Sequence, residues 1–366
     1  MIMNKRKRFL GMIFTVALAS LTLMGCGSEK GTAVSKSPEL EASIPLVAPT
    51  IELKDLLHHE NLLTGTNDLT DEAIGKRPVA VMVNNIAAAL PQYGISAADI
   101  IFELPVEGNQ TRLMAMYGDY TQVPKICAVR SCRYYYPAIA KGFDAYYIHW
   151  GQDDSIIGYL NSLNMNRFNG LDNTGGLFGR DSSRLSAGYS LEHTGYFDGT
   201  RIVESINSLG MRSDLLESKQ EAAFNFCEYG DAVTPTGEAC SKAKINFGAQ
   251  SATLTYDADS NLYYKKHNNN AHKDGKTGEQ LAFTNVFVLE TSISTRDEVG
   301  HKSINWQGSS SATGYYISNG VIQKIHWSQK DESSYLKFYI ESGEELVINR
   351  GKSYIAYCSK GQASFE

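Results

Sequence analysis

The chain lacks every strong catalytic signature. Its 366 residues contain no P-loop, no G-x-S-x-G elbow, no H-E-x-x-H pair and no dinucleotide-binding glycine fingerprint. Zinc-finger spacing and RNP-like motifs are missing too, and acids outnumber bases for a formal charge of −6. An acidic chain without a basic stripe is not a non-specific nucleic-acid binder. Nothing in the pattern calls for a metal or a cofactor. After residue 26 no apolar run is long enough to cross a bilayer, which takes roughly 20 residues. Cys26 aside, the cysteines are Cys127, Cys132, Cys227, Cys240 and Cys358. An odd number excludes a fully paired disulfide framework, although Cys227 and Cys240 flank a turn-rich stretch and could form one local bridge.

What is present begins with a leader. Lys5-Arg6-Lys7-Arg8 precedes an uncharged apolar run from Phe9 to Leu23, followed by Leu23-Met24-Gly25-Cys26. That order predicts a signal peptide over 1–25 ending in a lipobox, with Cys26 as the lipidated residue. Loss of the leader's four cations would leave the remainder near −10. Residues 26–50 are polar, small and without period, as expected of a flexible tether. The expected location is the extracytoplasmic face of the cell membrane, held there by lipid.

Beyond the tether, two textures follow one another. Short apolar runs at 78–85, 99–106, 111–119, 124–131 and 145–151 read as strands. The segments 133–143, 154–163 and 198–210 read as helices, the last two opening on Asp. This alternation predicts an N-terminal α/β domain with a mixed sheet over 51–235. From 236 to 366 the pattern becomes strand and turn, as in "ATLTYDADSNLYYKK" and the alternating run 335–358, which predicts a smaller, mostly β domain. The fold class is therefore α+β or mixed α/β.

Candidate site residues sit where strands of the first domain end. Arg112 opens a strand, Arg130 and Arg133 lie between a strand and a helix, and Arg180-Asp181 follows a glycine-rich turn. Such ends gather free backbone N–H groups, and the guanidinium fork matches carboxylate and phosphate. The competing expectation is that Glu103, Glu107, Asp153 or Asp181 pair with these arginines and tie loops together. His149 and His193 are the titratable candidates for acid–base work or ligand contact. His58-His59-Glu60 reads as a solvated entry helix, and His272 with Asp274 as turn chemistry.

Several motifs in order, "RPVAVMVNN", "LPQYGISAADIIFELPVEGNQTRLMAMY", "VRSCRYYYPAIAKGFDAYYIHWG", "LDNTGGLFGRDSSR" and "GHKSINWQGSSSATGYYISNGVIQKIHW", resemble the YerB-like lipoproteins of Firmicutes. That family is known as domain of unknown function 3048, with N- and C-terminal parts. The resemblance runs from about Pro78 to the C-terminus and implies a two-part extracytoplasmic lipoprotein. It implies no reaction, and it places an acidic residue where Asn84 stands here. The leading expectation is a binding module for an anionic envelope ligand or partner. A wall hydrolase or transferase using His149, and an assembly factor docking a membrane protein, are the alternatives.

Overall fold

The computed structural model describes residues 59–366, so the leader, Cys26, the tether and His58 lie outside the described residues. Among the described residues no helix is long and apolar enough to cross a membrane.

The first part lays down strands where the apolar runs predict them: β1 Val79–Asn84, β2 Ile100–Pro105, β3 Thr111–Tyr117, β4 Lys125–Cys127 and β5 Tyr146–His149. Three further short strands follow: β6 Arg167–Asn169, β7 Phe178–Arg180 and β8 Gly195–Asp198. Every residue of β1 is buried because the strand is covered on both faces. Val79, Val81 and Val83 enter one core cluster, while Ala80 and Met82 enter the other. A period of 2 with both phases apolar is what a doubly covered strand requires.

The helix at Tyr135–Gly142 contains Pro137. Proline is tolerated there because the position lies in the first turn, where the N–H has no helical acceptor to lose. At 154–163 a 3-10 turn runs into the helix Ile157–Ser162, and the capping carboxylate is Asp153, which accepts from the Ser155 N–H. Asp198 precedes the third helical segment without capping it.

These strands do not close into a sheet of their own. One eleven-stranded mixed sheet runs in the order β6, β5, β1, β3, β2, then Ser353–Cys358, Asn285–Glu290, Gly308–Ser318 and Val321–Ser328. Its last edge is shared by two short strands, Glu238–Ala239 and Lys337–Tyr339. The seam between the parts is the parallel pair β2 and Ser353–Cys358, with Ile100 opposite Ser353 and Glu103 opposite Ala356. The described residues, 59–366, accordingly fall in one compact unit. The expected change of texture is there, but a boundary near 235 falls in a connection, and strands from both sides of it share the sheet.

A second, six-stranded antiparallel sheet, built on Lys242–Asn246, Ser251–Asp257 and Leu262–His267, covers one face. The helix Tyr135–Gly142 covers part of the other, with Tyr135, Tyr136 and Ile139 among Phe102, Met114 and Tyr147.

All five described cysteines are buried and unpaired, so the bridge considered for Cys227 and Cys240 is absent. Their thiols turn instead to backbone, Cys227 to the Asp231 carbonyl and Cys240 to the Lys242 carbonyl. Burial raises the Cys127 thiol to about 11 and those of Cys132 and Cys358 to about 12. The thiolate is the reactive form, so these cysteines should be inert in the native state. A soluble disulfide reagent should label none of them quickly in the folded protein and all five after denaturation. Fewer than five on unfolding would reveal a bond.

Candidate functional site

Because β1, β2, β5, β6, Asn285–Glu290 and Ser353–Cys358 run parallel, their C-terminal ends gather at one end of the sheet, where antiparallel β3 begins. The arginines are at this end, as the sequence predicts. β2 and β3 are joined by a tight turn in which Gly108 takes φ 68°, a left-handed conformation open to glycine. That turn projects Glu107 between two guanidiniums. Arg112 donates to Glu107 Oε1 at 2.9 Å, and Arg133 donates through Nε to Oε2 at 3.0 Å and through NH2 to Oε1. Arg112 also reaches the Ser131 carbonyl at 2.6 Å and Arg133 the Cys132 carbonyl at 2.6 Å. Burial pushes Glu107 up, but Arg133 and Arg112 outweigh it and hold the carboxylate down to about 2. Burial, then Arg133 beside it, lower Arg112 to about 10. This pair of arginines is a brace for the loop.

Arg130 and Arg180 differ. Arg130 pairs at 2.6 Å with Glu192, whose side chain is 50% exposed. Arg180 donates to the Leu191 carbonyl at 2.6 Å and stacks over Trp150 at 4.2 Å. The two guanidiniums thus grip one short turn, Leu191–Glu192. The remaining expected acids are engaged elsewhere. Asp181 caps the helix Ser182–Ser186 through the Arg184 N–H and pairs with Lys125 at 3.3 Å. Asp153 pairs with Arg296 and His301 on a hairpin from the second part. Asp153, Asp297 and His301 bring ligand-type atoms within 4.8 Å of one another, but Arg296 already lies against both carboxylates. The cluster is an ion-pair network.

Both histidines are buried. His149 donates from Nδ1 to the Gly151 carbonyl at 2.9 Å and stacks on Tyr147, while its Nε2 has no partner. Burial lowers it to about 4. His193 Nδ1 accepts from Asn84 Nδ2 at 3.1 Å, because the Asn84 oxygen already serves the Ile86 N–H. The proton is therefore on Nε2, 3.7 Å from Glu192. Burial lowers His193 as well. Cavities of about 560 and 720 Å³ lie elsewhere, and neither is lined by any of these seven residues. The candidates share one end of the sheet without converging on one open cleft.

Sequence reasoning missed a concentrated polar cluster. Glu103, at the seam, pairs at 3.1 Å with Lys265, and both are fully buried. Thr111, Tyr354 and Asn85 donate to the same carboxylate at 2.7, 2.8 and 3.0 Å. Lys265 donates to His272 Nδ1 at 3.1 Å, and His272 Nε2 meets Gln92 Oε1 at 2.9 Å. His267 Nε2 bonds the Asn85 carbonyl at 2.8 Å. The available signal was the alternation in "LYYKKH", which puts Lys265 in phase with buried Tyr263 and His267. Asp274 does perform turn chemistry, accepting from the Lys276 and Ser96 N–H groups at 2.8 and 3.0 Å. Of the expected entry helix His58-His59-Glu60, His58 lies outside the described residues, while Glu60 bridges to Asn67 and pairs with Arg350 at 2.7 Å.

Comparison with known proteins places this architecture. Residues 63–212 match the model described as "Protein of unknown function (DUF3048) N-terminal domain", and residues 243–355 match the corresponding C-terminal domain. A Bacillus subtilis protein named "Putative lipoprotein YerB" is 30% identical over 286 residues, spanning 76% of this chain and 80% of its own. The crystal structure of YerB protein from Bacillus subtilis matches with a TM-score of 0.69 at 25% identity, covering 83% of this chain and 98% of that one.

Proposed function

Because the chain belongs to the DUF3048 family, one member of which carries a lipoprotein name, we propose that it is a lipid-tethered envelope protein whose arginine-bearing sheet end binds an anionic ligand. Anchoring would be through Cys26, on the extracytoplasmic face of the membrane. The observation that supports the binding reading is the arrangement of Arg130 and Arg180. Two guanidiniums hold one turn that offers them a single, half-exposed carboxylate, and the Trp150 ring lies beneath one of them. Arg112 and Arg133 add a second unbalanced charge behind, since Glu107 is shared between them. An acid–base role for His149 has no support in its surroundings, where the ring is buried and neutral.

The test titrates the soluble chain from residue 27 onward with two probes, a glycerol-phosphate oligomer and purified soluble muropeptides, at low and high salt. Saturable, salt-sensitive binding of one probe is expected. The Arg130→Ala/Arg180→Ala variant should weaken it at least about a hundredfold, since each charge-assisted contact contributes about 1.5–3 kcal/mol. Binding of neither probe, or binding indifferent to both substitutions, would overturn the assignment.

A further inference from the structure

The far edge of the large sheet carries a second feature, independent of the arginines. The edge strand Val321–Ser328 is covered on its outer side in two separate places. Glu238–Ala239 pairs with Ile322 and Val321, and Lys337–Tyr339 pairs with Ser328 through His326. Between them Gln323, Lys324 and Ile325 have no strand partner on that side among the described residues. The two covering strands cannot close the gap. Beyond Tyr339 the chain reverses at once, with the Gly343 N–H bonding the Ile340 carbonyl and the Ile340 N–H bonding that of Glu344. On the other side Thr236 turns its N–H to the Gln323 side chain. A cavity of about 720 Å³ occupies this break, walled by Ile322 and Ile340 and floored by Tyr315 and Phe365, whose rings lie 4.6 Å apart.

We propose that this break is a docking groove for an extended peptide segment of a partner protein, which adds a short strand to the sheet between Glu238–Ala239 and Lys337–Tyr339. A sheet edge offers donors and acceptors at strand spacing, and another strand is the partner that matches them. The gap is three residues, about 10 Å at ~3.3 Å per residue, so the occupant contributes a short stretch with alternate side chains entering the apolar pocket. A second copy of the chain fits poorly. Antiparallel pairing of two such edges about the gap would set exposed Lys324 opposite its own copy, and like charges directly opposed destabilise. Glu238 and Glu341 at the rim outnumber Lys324, which favours an occupant with neutral or basic flanks.

A random heptapeptide library displayed on phage, selected against the soluble chain from residue 27 onward, tests this. Enriched peptides should show apolar residues at every second position and lose at least tenfold in affinity when the central amide is N-methylated. Filling the groove through its exposed wall, Ser342→Trp, should abolish their binding with the fold unchanged by circular dichroism. No enrichment, or enriched peptides that bind the Ser342→Trp variant equally well, overturns the proposal. So does peptide binding that appears only once residues 27–58 are removed, because the occupant is then the chain's own tether. A concentration-dependent dimer abolished by Ser342→Trp overturns it in favour of a second copy.

Discussion

Lys265→Met is expected to cost about 3–5 kcal/mol of stability in urea unfolding, the penalty for leaving a buried charge without its counter-ion. Glu103 sits in the seam of the sheet with no exposure, and Lys265 is equally buried. Burial pushes the Glu103 carboxyl up, yet Lys265 and the Thr111 and Tyr354 hydroxyls outweigh it and hold the group below the usual range. Remove the ammonium and the carboxylate must either stay charged on three neutral donors or take a proton. The double variant Glu103→Gln/Lys265→Met should recover a large share of the loss, since a buried pair replaced by neutral groups of similar volume is often close to neutral. The two costs are therefore strongly non-additive, and a double-mutant cycle measures the coupling. Additive costs below about 1 kcal/mol each would mean that water already reaches the pair. Since Glu103 and Lys265 come from the two sequence-distinct parts, the variant should lower one cooperative transition rather than split it in two.

That expectation marks where the sequence stops being legible. Local pattern placed β1, β2, β3 and β5 within a residue or two, because each is a bounded apolar run whose period and length speak for themselves. It also placed the arginines at strand ends. It could not show that Ser353–Cys358 lies beside β2, some 250 residues away, because pairing between distant parallel strands leaves no local trace. The two-domain expectation rested on a real change of texture, but texture records local structure and not which edge finds which. The same local view left the partners of the acids open. Glu107 took Arg112 and Arg133 because a turn of a few residues joins β2 to β3, whereas Glu103 went to Lys265 and Asp153 to Arg296, both distant in sequence. The histidines were readable as residue types with the right chemistry, and their burial was not.

That burial sets the pH response. His149 is lowered by burial to about 4, and burial lowers His272, His267 and His193 in the same direction. In the unfolded chain each titrates near 6.5. Above that value both states are neutral and these groups leave stability unchanged. As pH falls below it, the unfolded chain takes up protons that the folded chain refuses, so stability is lost progressively down to the folded pKa. For His149 the loss at pH 5 is about 2 kcal/mol, from 1.36 kcal/mol per unit. His272 should add to the loss, because burial lowers it and the Lys265 ammonium that its Nδ1 accepts from repels a second cation. One carboxyl works the other way: burial raises Asp99 to about 6, so its protonation between about 6 and 4 favours the folded state. A comparison of variants separates these contributions. His149→Asn keeps a donor for the Gly151 carbonyl and cannot titrate. At pH 7 it should be the less stable protein by about 1–2 kcal/mol, through lost packing on Tyr147. By pH 5 the gap should close or reverse, because only the parent has paid for a neutral imidazole. Parallel stability curves for the two proteins between pH 7 and 5 would mean that water reaches His149 Nε2 and the ring titrates alike in both states.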